Sequence, residues 1–295
     1  MRTHFLLLLL LLATVFAVTA AAESNPSAIS PDVTPTTTNV PAEPPPPIQD
    51  NSFLVEEAYN QEDGVIQHIS FVQFLNTHDV VYTQTDEWPL RSLKHQLSMT
   101  ASFDESGNYR QFGPGWGDTA INYRYQLVGS GETRLAIAPR LSMLLPTGDS
   151  GTGRGYGGWG LQTNLPISFQ LNRYLVSHWN AGVTWIPSAQ DGRHNHAALV
   201  NPNLAQSTVW LVNPRFNALC ELVWTDNASV VAPGRTMRQQ ALFVSPGVRW
   251  AYNFKSGLQI VPGVGLPVGL MGASGQRGTI FYLSFEHPFA WAHSK

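Results

Sequence analysis

Six charged residues and three amides occupy positions from which their side chains could line the inside of a barrel. Around each of them polar residues alternate with apolar ones, as in Ile121-Asn122-Tyr123-Arg124-Tyr125. Successive side chains of a β-strand point to opposite faces, so this alternation predicts strands with one polar face. In a membrane barrel the polar face lines the lumen, where its side chains contact solutes or pair with one another. The predicted lumen-facing residues are Arg124, Arg134, Arg140, Arg249, Glu221, Glu286, Asn122, Gln162 and Asn164.

A group of carboxylates precedes the first predicted strand. Residues 52–63 contain four acidic side chains, among them Glu56 and Glu57. We hypothesise that this segment folds back into the lumen as a plug, with Glu56 or Glu57 contacting Arg140 or Arg249, because buried charges need partners of opposite sign. The alternative is a solvated acidic segment that leads into the first strand.

Three motifs have residue types that could carry other chemistry. His68-Ile69-Ser70 has the His-x-Ser spacing of the outer-membrane phospholipases, in which a base activates a serine, but it lacks the Asn-Gly that follows in those enzymes. His194 and His196 have neither a cysteine nor a carboxylate partner for a metal ion. The glycine-rich residues 147–158 lack the Gly-Lys-Ser/Thr ending of a phosphate-binding loop. We predict no catalytic residue, no metal site and no cofactor.

The elements that position these residues are clearest in residues 159–185. From Trp159 to Leu171 the odd positions are almost all apolar and the even positions are mostly polar or small. The alternation resumes after Asn172-Arg173, which predicts a hairpin with a two-residue turn. Each limb has about a dozen residues, whereas soluble strands usually have about five or six and a bilayer is crossed by about ten. The stretch therefore predicts one hairpin of a transmembrane β-barrel.

The whole chain predicts an all-β fold, a transmembrane antiparallel β-barrel of about twelve strands. The predicted connections alternate between short turns and longer loops, including loops over residues 187–203 and 226–238, which is the layout of outer-membrane barrels with both termini in the periplasm. Tryptophan and tyrosine residues lie near the predicted strand ends, as membrane-interface girdles require. The predicted strands are residues 65–74, 79–88, 95–103, 116–127, 133–144, 159–171, 174–186, 204–213, 215–225, 239–253, 256–266 and 277–289.

The N-terminal part of the chain predicts export. Residues 1–22 have the charged start, short apolar run and small-residue end of a signal peptide. Residues 23–50 are rich in Pro, Ser and Thr and predict an extended periplasmic tether. Residues 51–64 form the lead-in or plug, and residues 65–295 form the barrel. The single cysteine, Cys220, excludes an internal disulfide, and a net charge of -3 without a basic cluster excludes a nucleic-acid partner.

The chain resembles a family of outer-membrane barrels named for the MetA pathway of phenol degradation. The resemblance lies in four stretches that span most of the predicted mature domain: residues 52–62, 117–125, 138–142 and 160–166. It implies transport linked to aromatic catabolism and gives no catalytic residue.

These observations together predict an outer-membrane channel or transporter that passes small solutes, with hydrophobic or aromatic ones as candidates, by passive diffusion. A lipid hydrolase and a structural barrel with a closed lumen are the alternatives. The expected partners are outer-membrane lipids, a small-molecule solute and the barrel assembly machinery, which would recognise the aromatic last strand. The expected location is the outer membrane of a Gram-negative bacterium, and the sequence does not determine the oligomeric state.

Overall fold

The computed structural model describes residues 52–77, 79–90, 92–105, 113–255 and 258–288. The predicted signal peptide (residues 1–22) and tether (residues 23–50) lie outside the described residues. No helix in the described ranges is long and apolar enough to cross a membrane.

The described residues form twelve antiparallel strands, and four of them are interrupted at a proline or extended by a two-residue piece. In chain order they are β1 (Val65–Leu75), β2 (Val80–Pro89), β3 (His95–Glu105), β4 (Thr119–Tyr125, preceded by Gly115–Trp116), β5 (Leu135–Ile137 and Arg140–Leu145), β6 (Gly160–Asn172), β7 (Leu175–Gln190), β8 (His196–Asn213), β9 (Phe216–Ala232), β10 (Arg235–Trp250, continued by Tyr252–Asn253), β11 (Gln259–Gly265, continued by Val268–Gly269) and β12 (Gly278–Pro288).

Each strand pairs with the next strand along the chain, and the first pairs with the last. The β1–β12 ladder runs from Val65 opposite Pro288 to Leu75 opposite Gly278, so the sheet has no open edge along this seam. Strand β11 pairs with both β10 and β12, which completes the ring. The predicted fold, a closed antiparallel barrel of about twelve strands, is confirmed.

Strands β7 to β10 are longer than the sequence predicted. The predicted loop over residues 187–203 is mostly strand, because β7 runs to Gln190 and β8 begins at His196. The predicted loop over residues 226–238 shrinks to the turn between β9 and β10 at Pro233 and Gly234, where Gly234 has a positive φ of 67°. The first loop prediction was wrong because the inward positions Ala197 and Leu199 are apolar like the outward Val200, which hides the alternation. The second was wrong because polar residues stand on both faces of the strand ends around Asp226 and Arg238, and ladder hydrogen bonds do not depend on the side chains.

The barrel is polar inside and apolar outside, the reverse of a soluble β-barrel. On β5 the side chains of Leu141 and Met143 are 50% and 48% exposed, whereas Ser142 between them is fully buried. On β9 Cys220 is exposed and its neighbour Glu221 is fully buried. Apolar surface exposed over a whole barrel wall requires an apolar solvent, so this arrangement fits a lipid bilayer.

A label on the single cysteine will distinguish the two faces of the wall. A nitroxide on Cys220 in a liposome-embedded barrel should be accessible to oxygen, which concentrates in lipid, and protected from a water-soluble nickel chelate. The matched control carries Cys220→Ser and Thr83→Cys, because Thr83 lines an internal cavity. Equal access of the nickel chelate to both labels would overturn the assignment of faces.

Candidate functional site

Residues 52–61 lie inside the barrel and have no regular secondary structure. Their contacts come from strands on opposite sides of the ring. The backbone N–H of Gln61 donates to Gln96 of β3, whereas the hydroxyl of Ser52 donates to Ser207 of β8 at 2.7 Å. Since backbone groups removed from water need hydrogen-bond partners, a segment without its own ladder must take them from the surrounding wall. We call residues 52–61 the inner segment.

One carboxylate binds three consecutive backbone N–H groups of the inner segment. Oε1 of Glu221 accepts hydrogen bonds from Phe53, Leu54 and Val55 at 3.1, 2.8 and 3.1 Å. Hydrogen bonds to a charged acceptor are stronger than neutral ones, about 1.5–3 kcal/mol each. Arg249, fully buried on the neighbouring strand β10, interacts electrostatically with Glu221. The carboxylate therefore anchors the first turn of the inner segment.

The ring of Phe53 fits against three glycines of β10 and β11. A Cβ atom added to Gly247 would lie 2.5 Å from Cε2 of Phe53, and one added to Gly263 would lie 2.6 Å from its Cε1. Gly265 is the third member of this surface, and the ring of Tyr282 packs at 5.3 Å between centroids. Any larger residue at Gly247 or Gly263 would occupy the space of the ring. We call these three glycines the glycine cradle.

Arg124 of β4 binds the other end of the inner segment. Its guanidinium donates to the side chain of Asn60 at 2.9 Å and to the backbone carbonyls of Glu57 and Tyr59. It also lies 3.6 Å from a carboxylate oxygen of Glu87 on β2. The guanidinium thus joins two strands to the backbone of the inner segment.

Arg140 of β5 joins the inner segment to a network of amides. Its Nη2 lies 2.8 Å from Oε1 of Glu56, and the same nitrogen donates to Gln162. Its Nη1 donates to Asn122 and to Ser142. These contacts hold the guanidinium in one orientation. Glu56 is the residue of the inner segment, as far as the structure describes it, that forms an ion pair with Arg140.

The other predicted residues have different surroundings. Asn164 is buried and donates to Asn180 of β7, whose side chain is bonded on both sides to the backbone of Glu56. Glu286 of β12 accepts from Gln67 at 2.8 Å. Arg134 stands apart from these residues, because it precedes β5 in an exposed turn rather than within a strand.

An internal cavity of about 490 Å³ lies between the inner segment and the wall formed by β12 and β1 to β6. One side of it is apolar and aromatic, with Ile69, Phe71 and Tyr282. The rest of the lining is largely polar and includes Asn122, Gln162, Glu87, Arg124 and Arg140. This volume is in the range of small-molecule sites, which are mostly concave with a few oriented polar groups.

Several residues of this site were missed in the sequence. Gln67, Ile69 and Phe71 face inward on β1, whereas His68 and Ser70 face outward, so the strand inverts the usual pattern and its alternation is weak. The glycine cradle was also missed, because glycines have no side chain and do not contribute to the alternation of polar and apolar residues. A spacing of two residues between Gly263 and Gly265, on one face of a strand, was the available clue.

The His-x-Ser motif does not form a nucleophile–base pair. The hydroxyl of Ser70 donates to Oε1 of Gln84 at 2.7 Å. The ring of His68 uses Nδ1 for Asp86 at 2.7 Å and faces Nε2 of His287 with its Nε2. A serine hydrolase requires a hydrogen bond between serine and base, and this geometry does not provide it.

A disulfide will test the contact between the inner segment and β8. In a Cys220→Ser background, Ser52→Cys with Ser207→Cys should form a disulfide on mild oxidation, because the two hydroxyl oxygens are 2.7 Å apart. The matched control pairs Ser52→Cys with Thr208→Cys, whose side chain is next along the strand and points to the other face. Thiol alkylation and mass measurement read out the bond. Equal disulfide formation in both pairs would contradict the described position of the inner segment.

No protein-family model matches the chain, and no curated protein matches it. The resemblance to the phenol-degradation barrels therefore remains a prediction. The chain is similar in structure to an outer membrane channel from Pseudomonas putida F1, with a TM-score of 0.59, 13% identity, and coverage of 79% of this chain and 98% of that one. It is also similar to a NanC porin, with a TM-score of 0.50, 8% identity, and coverage of 75% and 100%. At such low identities the likeness establishes a shared architecture, so the chain has the fold of these closed outer-membrane barrels.

Proposed function

We propose that the protein is an outer-membrane channel that passes small solutes by passive diffusion, and that the inner segment acts as its plug. The observation that carries the proposal is the internal cavity of about 490 Å³ beside the inner segment, within a closed barrel whose outer wall is apolar. The two similar solved structures are a channel and a porin, which supports a channel role for this chain as well.

The cavity wall favours solutes that have both an apolar ring or chain and a few polar groups. Phe71 and Tyr282 offer aromatic contacts, and Asn122 and Gln162 offer amide groups. Its charges nearly balance, since Glu56, Glu57 and Glu87 accompany Arg124 and Arg140. Small uncharged or weakly polar aromatic compounds are therefore the proposed solute class, with the concentration gradient as the driving force.

The plug is held by contacts that can be released without unfolding the barrel. The inner segment contributes no strand to the ladder, and its bonds go to side chains such as Glu221, Arg124 and Arg140. Undocking it leaves every strand–strand hydrogen bond in place.

The proposed orientation places both termini of the barrel in the periplasm. The proposed partners are the lipids around the wall and the assembly machinery that inserts the barrel into the outer membrane.

A closed structural barrel is the second candidate, and the Arg140–Glu56 ion pair is the observation that favours it. If the inner segment never leaves, the cavity is an internal void. Conductance measured with and without the segment distinguishes the two functions.

Removal of the plug should raise the conductance. Deletion of residues 51–62 should increase the single-channel step in planar bilayers roughly twofold or more, because a barrel of this strand number has a narrow lumen that one chain segment can fill. Deletion of the equally long residues 30–41 is the matched control and should leave the step unchanged. Gly247→Val, which places atoms where the Phe53 ring lies, should open the full-length channel in the same direction. An unchanged conductance in both the protein without residues 51–62 and the Gly247→Val protein would eliminate the plug.

Two substitutions in one ion pair should shift ion selectivity in opposite directions. Arg140→Gln removes a positive charge from the cavity wall and should favour cations, whereas Glu56→Gln removes a negative charge and should favour anions. The permeability ratio should change by up to about fivefold, because unit charges about 4 Å apart interact by about 1 kcal/mol in water. Reversal potentials in a salt gradient measure the ratio. Both changes break the same ion pair, so shifts of the permeability ratio in the same direction would contradict a conducting path along this wall. Arg134→Gln is the control, because Arg134 lies in an exposed turn and its loss should leave the ratio unchanged.

A further inference from the structure

Six polar side chains form a connected network on the outer face of β12, β1 and β2. Directly opposite residues of paired strands share one face, and Gln67 faces inward because it bonds to Gln61 of the inner segment. His68 is next along β1 and lies opposite both Asp86 and Phe285, so all three point outward. The network consists of His68, Ser70, Tyr82, Gln84, Asp86 and His287.

A charged group on this face is costly in a bilayer. Strand β3, beside Asp86, turns the apolar side chains of Leu97 and Met99 to the same surface, and Phe281 of β12 is 47% exposed there. Polar and ionisable residues that face lipid are rare and are kept where they bind something. The side chains of His68 and Asp86 are 25% and 22% exposed, so an ion can reach them.

Two nitrogen lone pairs in this network face each other. Nδ1 of His68 lies 2.7 Å from a carboxylate oxygen of Asp86, which accepts, so this nitrogen carries the hydrogen. Nδ1 of His287 lies 3.1 Å from the carbonyl oxygen of Pro288, which also can only accept. In both neutral rings Nε2 is then an unprotonated acceptor. The two Nε2 atoms are 3.2 Å apart, close enough to share a proton or to bind one metal ion together.

We propose that His68 and His287 bind a divalent transition-metal ion, such as Zn²⁺, Ni²⁺ or Cu²⁺, through their Nε2 atoms. Imidazole is the preferred ligand of these ions. Two nitrogens of one tetrahedral zinc site are about 3.4 Å apart when each Zn–N bond is about 2.1 Å, which is close to the separation found here. Asp86 is a positioning residue, since a carboxylate on the second nitrogen fixes the tautomer and the orientation of the ring.

The ion would link the first strand of the barrel to the last. His68 lies on β1 and His287 on β12, the two strands whose pairing closes the ring. The described residues contain no group of three or more His, Cys, Asp or Glu side chains that could hold a metal. His68 and His287 lie near the ends of β1 and β12, at the membrane interface, where water can supply the remaining ligands. The site lies on the outer face and is independent of the lumen and of the proposed channel function.

Metal titration of the full barrel tests the site. The protein without a histidine tag, refolded in detergent and stripped with a chelator, should bind one Zn²⁺ per chain by calorimetry. The temperature of its gel-mobility transition should rise with Zn²⁺. His68→Gln and His287→Gln should each weaken binding at least tenfold, and Asp86→Asn should weaken it about 10- to 100-fold. His196→Gln, which changes the first residue of β8 and does not touch this network, should leave binding unchanged.

Electron paramagnetic resonance of bound Cu²⁺ gives a second readout that does not depend on stability. The wild-type spectrum should contain splitting from two imidazole nitrogens, and His68→Gln should leave at most one. If His287→Gln in the last strand fails to refold, the His68→Gln spectrum still decides. Absence of stoichiometric binding, which is the result expected if the two rings share only a proton, would overturn the proposal. So would binding that survives the loss of both histidines.

Discussion

The absence of water in a bilayer is the constraint on which this structure depends. Every backbone N–H and C=O of a membrane-spanning strand must find a partner within the protein, because an unsatisfied group in hydrocarbon costs several kcal/mol. The β1–β12 ladder meets this requirement by removing the free edges that an open sheet would leave. Once the ring is closed, one face of each strand must suit lipid and the other must suit the interior, and the polar residues collect inside.

The same requirement explains how an irregular segment can be held inside the lumen. Residues 52–61 have no ladder of their own, so their backbone groups are bonded by side chains of the wall. Glu221 accepts from three backbone N–H groups, and Gln126 donates to the backbone carbonyl of Ala58. Asn180 binds both the backbone N–H and the backbone carbonyl of Glu56. The interior charges thus serve the backbone of the inner segment as well as one another. The wall also receives side chains of this segment: the ring of Phe53 lies on the glycine cradle, and the ring of Tyr59 packs edge-on against His178 of β7.

The sequence predicted a strand well where one face of the strand is apolar and the other is polar, and poorly where this contrast is missing. The hairpin of residues 159–185 was predicted to within a few residues because its outer face is uniformly apolar and its inner face uniformly polar or small; its strands are Gly160–Asn172 and Leu175–Gln190. The start of β8 near Leu199 was missed because both of its faces carry apolar residues, and the strand ends near Asn227 and Gln239 were missed because both faces there are polar. The alternation of strand β1 was difficult to recognise in the sequence, because His68 and Ser70 face outward and Phe71 faces inward. Arg124 and Arg140 could be assigned to one face by parity, but their partners in the inner segment follow from the three-dimensional path of residues 52–61, which no periodicity encodes.

The position of the inner segment in the chain has a consequence for how the protein folds. The segment is synthesised before every strand, yet the carboxylate that anchors Phe53 is 168 residues further along. Contacts between residues so distant in sequence form late, because the entropy of closing long loops must be offset first. The ring of Tyr282, which completes the surroundings of Phe53, belongs to the last strand. The N-terminal residues that emerge first are therefore among the last to reach their final contacts, and the nascent barrel must keep its interior open for them until the seam is formed.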